Sequence, residues 1–297
     1  MKIQFLNGGL ANQAFQYIFA RYYELSHPWD KMYMDDSYFA LHTVHNGYEL
    51  EKVFGIRPHM LSECFTPEVW SFILEEKRKG KSVPQVLSEN GTDIYMLSEV
   101  GDACQSFNPF DGKIFSLPTN QYMTDILDLP GNIYYHGYWI NKSWFSAYRE
   151  TFLKELCFPE IPDQRNQAYL EQILSCNSVS VHVRRGDYVT LNVAYRPDEY
   201  SMLIKSFTSQ VPDGAKWHLF VFSDDITWCR EHAQELGFHS FQDITYVEGN
   251  TEGKNYLDLQ LMSKCKGMIL SNSAFCYLAA LLNTEKQYMT NPRERNI

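Results

Sequence analysis

Two adjacent arginines, Arg184 and Arg185, follow a short β-branched run in the stretch VSVHVRRGD, residues 179–187. The run is typical of a buried strand, yet it contains His182 and ends in charged residues that include Asp187. Guanidinium groups are planar and permanently charged, and their geometry matches the oxygens of a phosphate. The stretch therefore predicts an anion site at the end of a strand.

Two other polar clusters stand at similar places. Asp224 and Asp225 follow a second apolar run, and their carboxylates could accept hydrogen bonds from the N1–H and exocyclic amine of guanine. The cluster Ser271, Asn272 and Ser273 precedes a helical pattern, where hydroxyls and free backbone N–H groups can hold phosphate. Each cluster alone is also typical of a helix cap or an internal ion pair. Together they predict a nucleotide diphosphate site.

The second half of the chain alternates strand and helix patterns. This alternation predicts a parallel, doubly wound sheet, in which ligands bind at the carboxyl ends of the strands. All three clusters fall at such ends. The predicted strands are 178–183, 217–222, 245–248 and 268–271, and the predicted helices are 198–207, 226–236, 256–265 and 274–282.

The first half begins with a strand pattern over residues 2–6, a turn at Gly8 and Gly9, and a helical pattern that includes Asn12. The glycines match neither common phosphate-loop motif, so they indicate a tight turn where backbone can approach a ligand. The pattern is then irregular up to about residue 125, and an amphipathic stretch covers 144–156. A segment with two prolines, CFPEIPDQ, predicts a boundary between domains 1–159 and 160–297.

Composition excludes several classes of protein. A formal charge of −10 over 297 residues argues against nucleic-acid binding. Seven cysteines without C-x-x-C spacing, nine scattered histidines and the absence of D-x-D predict no metal site. No signal peptide and no apolar run of the ~20 residues that span a bilayer occur, which predicts a cytoplasmic protein, either soluble or peripheral at the membrane.

Four segments, taken in order, resemble the motifs of the α-1,2-fucosyltransferases of glycosyltransferase family 11. They are GGLANQAFQY (8–17), HVRRGDYV (182–189), FSDD (222–225) and DLQLMSKCKGMILSNSAFCYLAALLN (258–283). The resemblance implies a GT-B-like α/β fold of two Rossmann-like domains facing a cleft, with the acceptor side first and the donor domain second. It also implies inverting transfer of L-fucose from GDP-fucose to the 2-hydroxyl of a terminal galactose in a glycan, without a cofactor or an obligatory metal.

The resemblance assigns roles to single residues. His182 would contact guanosine, Arg184 the β-phosphate, Asp224 or Asp225 the guanine, and Ser273 a phosphate. Asp187 is either the general base or a group that holds Arg185. The full predicted donor set is Gly8, Gly9, Asn12, His182, Arg184, Arg185, Asp224, Asp225, Ser271, Asn272 and Ser273.

The chain departs from the family after Ser273, where Ala274 replaces Ser or Thr and Tyr277-Leu278 replaces a tryptophan pair. Two alternatives follow from the residues. One is a transferase that uses another GDP-sugar or forms another linkage. The other is a module that binds a GDP-sugar or a glycan without catalysis.

Overall fold

The structure is a computed structural model that describes residues 1–42, 46–100, 103–107, 114–118, 126–212, 216–251 and 253–291. The chain divides into two compact units, Met1–Leu156 and Cys157–Ile297. The boundary predicted from the two-proline segment, between residues 159 and 160, falls slightly later in the chain. The acceptor and donor roles that it gave to the two domains stay predictions.

The first unit is built on a six-stranded sheet with the order β2-β1-β6-β3-β4-β5. The first four strands of that order are parallel, and β4 and β5 extend the sheet as antiparallel strands. The strands are β1 Lys2–Phe5, β2 Met32–Asp35, β3 Ile94–Val100, β4 Ala103–Phe107, β5 Ile114–Pro118 and β6 Asn132–His136. Only β1 was predicted; β2 to β5 fall in the irregular region.

Seven described helices belong to this unit. The predicted order of strand, glycine turn and helix is confirmed, because α1 begins at Leu10 directly after the turn. The stretch 144–156 forms two helices, since the backbone of Tyr148 leaves the helical region at φ −128° and ψ 40°. The helices are α1 Leu10–Ser26, α2 Ser37–Leu41, α3 Leu50–Phe54, α4 Pro67–Arg78, α5 Val83–Glu89, α6 Lys142–Ala147 and α7 Arg149–Glu155.

The second unit contains a five-stranded, fully parallel sheet with the order β11-β10-β7-β8-β9. This confirms the predicted parallel sheet. The central strand β7 is buried along its whole length, which explains its nearly continuous apolar sequence. The strands are β7 Ser178–Val183, β8 His218–Ser223, β9 Asp243–Tyr246, β10 Gly267–Ile269 and β11 Tyr288–Thr290.

The six described helices of the second unit include two that were not predicted, α8 and α9. The helix predicted over 226–236 is wrong in its second half, because regular helix ends at Glu231 and turns lead to Gly237, whose φ is +82°. The helices are α8 Gln164–Ser175, α9 Gly186–Thr190, α10 Pro197–Gln210, α11 Ile226–Glu231, α12 Tyr256–Met262 and α13 Ala274–Leu282. No helix of the described residues has the length and apolar character needed to cross a bilayer.

Candidate functional site

The three polar clusters follow strands β7, β8 and β10, which are neighbours in the second sheet. Parallel strands end at the same edge, so the clusters lie together as predicted. At the centre is Arg184, directly after β7. Its Nη2 lies 2.7 Å from Asp187 Oδ1, and its Nη1 lies 2.9 Å from Asp224 Oδ2. Two carboxylates thus fix the guanidinium plane, whose side chain stays 30% exposed.

The backbone around Arg184 depends on a glycine. A Cβ on Gly186 would stand 2.6 Å from Asp224 Oδ2, so a side chain there would displace the carboxylate that holds Arg184. The other oxygen of Asp224, Oδ1, accepts a hydrogen bond of 2.8 Å from the Arg185 backbone N–H. Both oxygens of Asp224 are therefore used within the site, which leaves this residue little capacity for a ligand.

Arg185 is held by stacking. Its guanidinium carbon lies 3.6 Å from the ring centroid of Trp228, and its Nε is 3.8 Å from Asp225 Oδ2. That Nε is buried and has no hydrogen bond within the described residues. Asp225 also caps α11, since its Oδ1 accepts from the Trp228 backbone N–H at 3.1 Å. Oδ2 of Asp225 is thus the more available carboxylate oxygen of the aspartate pair.

His182 lies in strand β7, one residue before the strand ends, and is 5% exposed. Its Nδ1 is 3.3 Å from Ser271 Oγ, and its ring centroid is 5.3 Å from that of Phe275. Burial, together with the positive charge of Arg184, lowers the pKa of His182 to about 3. A neutral imidazole with one protonated nitrogen can position a ligand through hydrogen bonds, but it adds no charge to the site.

The third cluster forms the start of helix α13. Ser273 is its N-cap and accepts from the Phe275 backbone N–H at 3.3 Å. Asn272 donates through Nδ2 to the Val193 carbonyl at 2.8 Å, while its buried Oδ1 receives no hydrogen bond within the described part of the chain. The helix start offers N–H groups to an anion, and the Asn272 oxygen offers an acceptor to a hydroxyl or an amine.

One ionisable residue of this unit with a shifted pKa, Asp258, was not among the residues predicted from the sequence. Asp258 lies in the first turn of α12, and its Oδ1 accepts from Asn250 Nδ2 at 2.7 Å. Burial raises the pKa of Asp258 to about 7, although the Asn250 hydrogen bond opposes this shift. The available signal was an aspartate at the start of an apolar helix, in the segment 258–283 that carries the family resemblance.

The glycine residues of the predicted donor set lie in the first unit. Gly8 has φ +78°, and a Cβ there would stand 2.7 Å from Asn12 Nδ2, so the turn requires glycine. Gly9 is the N-cap residue of α1 and has extended backbone. The structure therefore confirms the tight turn. A donor-binding role for Gly8, Gly9 and Asn12 stays a prediction.

No group of three or more His, Cys, Asp or Glu residues in the described ranges is arranged to hold a metal ion. Arg184 and Arg185 are the cations of the three polar clusters.

Two Rossmann-like units, the second with polar clusters and an arginine pair at its sheet edge, form a GT-B-like α/β fold. The comparisons identify the family. The sequence model of glycosyl transferase family 11 matches residues 115–294, and the chain belongs to that family. This confirms the resemblance that the four segments carried.

Relatives and solved structures agree with the family and the fold. An Escherichia coli alpha-1,2-colitosyltransferase is 30% identical over 93% of this chain and 86% of its own. The rat galactoside alpha-(1,2)-fucosyltransferase 2 is 27% identical over 52% of this chain and 45% of its own. The crystal structure of fucosyltransferase NodZ from Bradyrhizobium superposes with a TM-score of 0.55 at 12% identity, covering 95% of this chain and 92% of its own. At that identity, NodZ supports the fold alone.

The departures from the family pattern lie inside the second unit. Tyr277 is 3% exposed and Leu278 is fully buried, so both belong to the core beneath the helix start. Tyr277 also donates from its hydroxyl to Asn291 Oδ1 at 3.2 Å. Tyr277 and Leu278 therefore fill core positions of α13, and the arginine and aspartate cluster is formed by other residues of the unit.

Proposed function

We propose that this protein transfers L-fucose from a bound GDP-fucose to the 2-hydroxyl of a terminal galactose, with inversion at the fucose anomeric carbon. The observation that carries the proposal is Arg184, which two carboxylates hold at the end of β7. Membership of glycosyl transferase family 11 supports it, as do the names of the relatives, which include galactoside alpha-(1,2)-fucosyltransferases.

The diphosphate is proposed to lie between Arg184 and the start of α13. A guanidinium has five N–H donors, and the two ion pairs of Arg184 use two of them. Three donors remain for β-phosphate oxygens. Ser273 and the first backbone N–H groups of α13 supply a second contact, which the helix dipole favours. Arg185 and Ser271 complete the polar lining in this proposal.

The guanosine is proposed to contact His182 and Asp225. Asp225 is favoured over Asp224 because both oxygens of Asp224 already accept hydrogen bonds from the arginine pair. A carboxylate oxygen can accept from the N1–H and exocyclic amine of guanine, whereas the Watson–Crick edge of adenine offers a donor and an acceptor. Asn272 Oδ1 is proposed to accept from a sugar hydroxyl, since it is buried without a donor in the described residues.

Arg184 is proposed to stabilise the charge that builds on the β-phosphate as the bond between fucose C1 and the phosphate oxygen breaks. Donors held in place before the reaction act at this point without reorganisation. No metal is assigned to this step, because the arginines carry the positive charge. The acceptor oxygen then forms its bond to C1 from the opposite face, and its proton passes to a base.

The geometry around Asp187 bears on two roles, that of the general base and that of a group that orients an arginine. The sequence alternative had this carboxylate holding Arg185, but the structure pairs it with Arg184: Asp187 lies in the first turn of α9, and Arg184 comes just before the N-cap residue Arg185. Asp187 remains our proposed base. Its 2.7 Å ion pair supports a second, orienting role toward Arg184.

Colitosyl transfer is a second candidate function. The Escherichia coli alpha-1,2-colitosyltransferase matches 93% of this chain, a larger share than the rat fucosyltransferase matches. Colitose is fucose that lacks the 3-hydroxyl, so the same diphosphate and guanine contacts would serve both donors. The two candidates differ only in what surrounds carbon 3 of the sugar.

A donor screen tests the proposal. The purified protein is incubated with lactose and, separately, GDP-fucose, GDP-colitose, GDP-mannose or UDP-galactose, and the released nucleotide and new oligosaccharide are measured. We expect product from GDP-fucose and none from UDP-galactose. Faster turnover of GDP-colitose would favour the second candidate. Release of GDP at a rate that lactose does not change, without oligosaccharide, would contradict both and favour a binding module.

A further inference from the structure

The first unit contains a cavity of about 500 Å³ that the proposed donor site does not use. Its floor is formed by side chains near the carboxyl ends of the parallel strands, among them Phe5, the last residue of β1, and His136, the last of β6. Its wall is the segment that joins the end of α4 to the start of α5. Such an edge is the usual place for a ligand in a parallel sheet.

The wall of this cavity is positively charged. Lys77, Arg78 and Lys81 line it, and none of its described lining residues is an aspartate or a glutamate. Lys81 is partly neutralised, since Glu76 and Glu89 each lie 2.7 Å from its Nζ. Arg78 is exposed and forms no ion pair within the described residues. The cavity therefore presents a net positive surface in a chain whose formal charge is −10.

Lys77 is the least exposed of the three cations, and its surroundings bear most directly on whether an anion binds here. Its Nζ donates to the Ser37 hydroxyl at 2.6 Å and stands 4.8 Å from the centroid of the Phe5 ring. No carboxylate of the described residues is within ion-pair distance of it. Asp35 lies beyond ion-pair distance of the Lys77 ammonium. Its carboxylate accepts hydrogen bonds from the Tyr134 hydroxyl and the Ser37 backbone N–H. Burial lowers the pKa of Lys77, while Asp35 opposes that shift. A partly buried ammonium with no carboxylate within ion-pair distance gains stability when an anion binds beside it.

We propose that this cavity binds an acidic group, a carboxylate or a phosphate, on the acceptor glycan. The inference rests on the proposed function and on the expectation that the first unit is the acceptor side. Aromatic and apolar floor residues with a few charged groups on one wall suit a sugar ring that carries one negative charge. The acceptor would then be an acidic oligosaccharide.

Calorimetry with three matched disaccharides tests the inference. The probes are lactose, lactose oxidised to a glucuronate at carbon 6 of its reducing-end sugar, and lactose phosphorylated at the same carbon 6 of that sugar. The wild-type protein is expected to bind one or both acidic probes at least about tenfold more tightly than lactose, which is the usual effect of one charge-assisted hydrogen bond. The tighter of the two acidic probes identifies the group.

Two variants separate a local site from general charge. Arg78→Gln removes a cation that lines the cavity, and Lys79→Gln removes the neighbouring cation, which pairs with Glu75 and Glu76 and does not line it. Arg78→Gln should lose about tenfold in affinity for the acidic probe, while Lys79→Gln should keep it within about twofold. Equal losses in the two variants, or equal affinities for all three probes, would overturn the inference.

The same samples distinguish this inference from the proposed function. Fucose transfer to lactose without any preference for the acidic probes would support the proposed function and contradict the acidic acceptor. Tight binding of an acidic probe without transfer from any GDP-sugar would support the anion site and contradict the proposed function.

Discussion

Replacing Arg184 by lysine tests the assignment of this side chain to the leaving group. Arg184 gives one donor to Asp187 and one to Asp224, so three of its five donors remain for phosphate. A lysine ammonium has three donors in all, and the same two ion pairs would leave one. The change keeps the charge and removes about two charge-assisted hydrogen bonds.

The expected loss follows from that count. Each such bond contributes about 1.5–3 kcal/mol, and the loss of a single donor at a developing oxyanion lowers kcat by roughly 10²–10³. We expect Arg184→Lys to lower kcat by at least about 10² and to weaken GDP binding less, because the charge on the phosphate grows as the bond breaks. Single-turnover transfer rates and GDP calorimetry measure the two effects.

The matched control for this variant is Arg196→Lys. Arg196 is 71% exposed and pairs with Asp198, and within the described residues no hydrogen bond or ion pair joins its side chain to the three clusters. The control should turn over like the wild-type protein. A kcat within about threefold of the wild type for Arg184→Lys would refute the role of Arg184, and so would an equal loss in both variants.

Asp187→Asn resolves the two roles of Asp187 in the same assays. If Asp187 is the base, transfer should fall by roughly 10²–10⁴ with GDP affinity nearly intact. If it orients Arg184, GDP affinity and melting temperature should fall together with the rate.

Three further results are expected. Asp225→Asn keeps a residue that can cap α11 but removes the charge, so GDP should bind about tenfold more weakly at an unchanged melting temperature; unchanged affinity would contradict the proposed guanine contact of Asp225. His182 stays neutral in the folded protein with a pKa of about 3, while the unfolded chain takes up a proton below about pH 6.5. The wild type should therefore lose about 2–3 kcal/mol relative to His182→Gln between pH 7 and 4.5 in urea unfolding, and parallel pH profiles would contradict this. Transfer should survive excess EDTA, and recovery of a chelated sample by Mn²⁺ would overturn the arginine account.

Much of the second unit could be predicted because its sequence follows simple periods. Strand β7 and helix α13 were predicted with their observed bounds, since a β-branched run and an apolar helical face leave few alternatives. Helix α9 could not be predicted. Its sequence, GDYVT, begins with glycine and contains β-branched residues, so its single turn depends on tertiary contacts such as those of Asp224 with Arg184 and with the Arg185 backbone N–H.

The candidate site shows the same limit. Sequence placed the three clusters at one sheet edge, because parallel strands share a direction. The sequence could not decide which of Asp224 and Asp225 has an oxygen available for guanine, since that depends on which oxygen faces which arginine. Nor could it find the basic cavity of the first unit, where Lys77 and His136 lie 59 positions apart and meet only when the sheet forms.

The linkage of the product tests the central claim most directly. The protein is incubated with GDP-fucose and a methyl β-galactoside, and the purified product is read by two-dimensional proton–carbon NMR. The account predicts a correlation between the fucose anomeric proton and carbon 2 of galactose, with an α-configured fucose. Attachment at another galactose hydroxyl, a β-configured fucose, or hydrolysis of GDP-fucose without a disaccharide would contradict it.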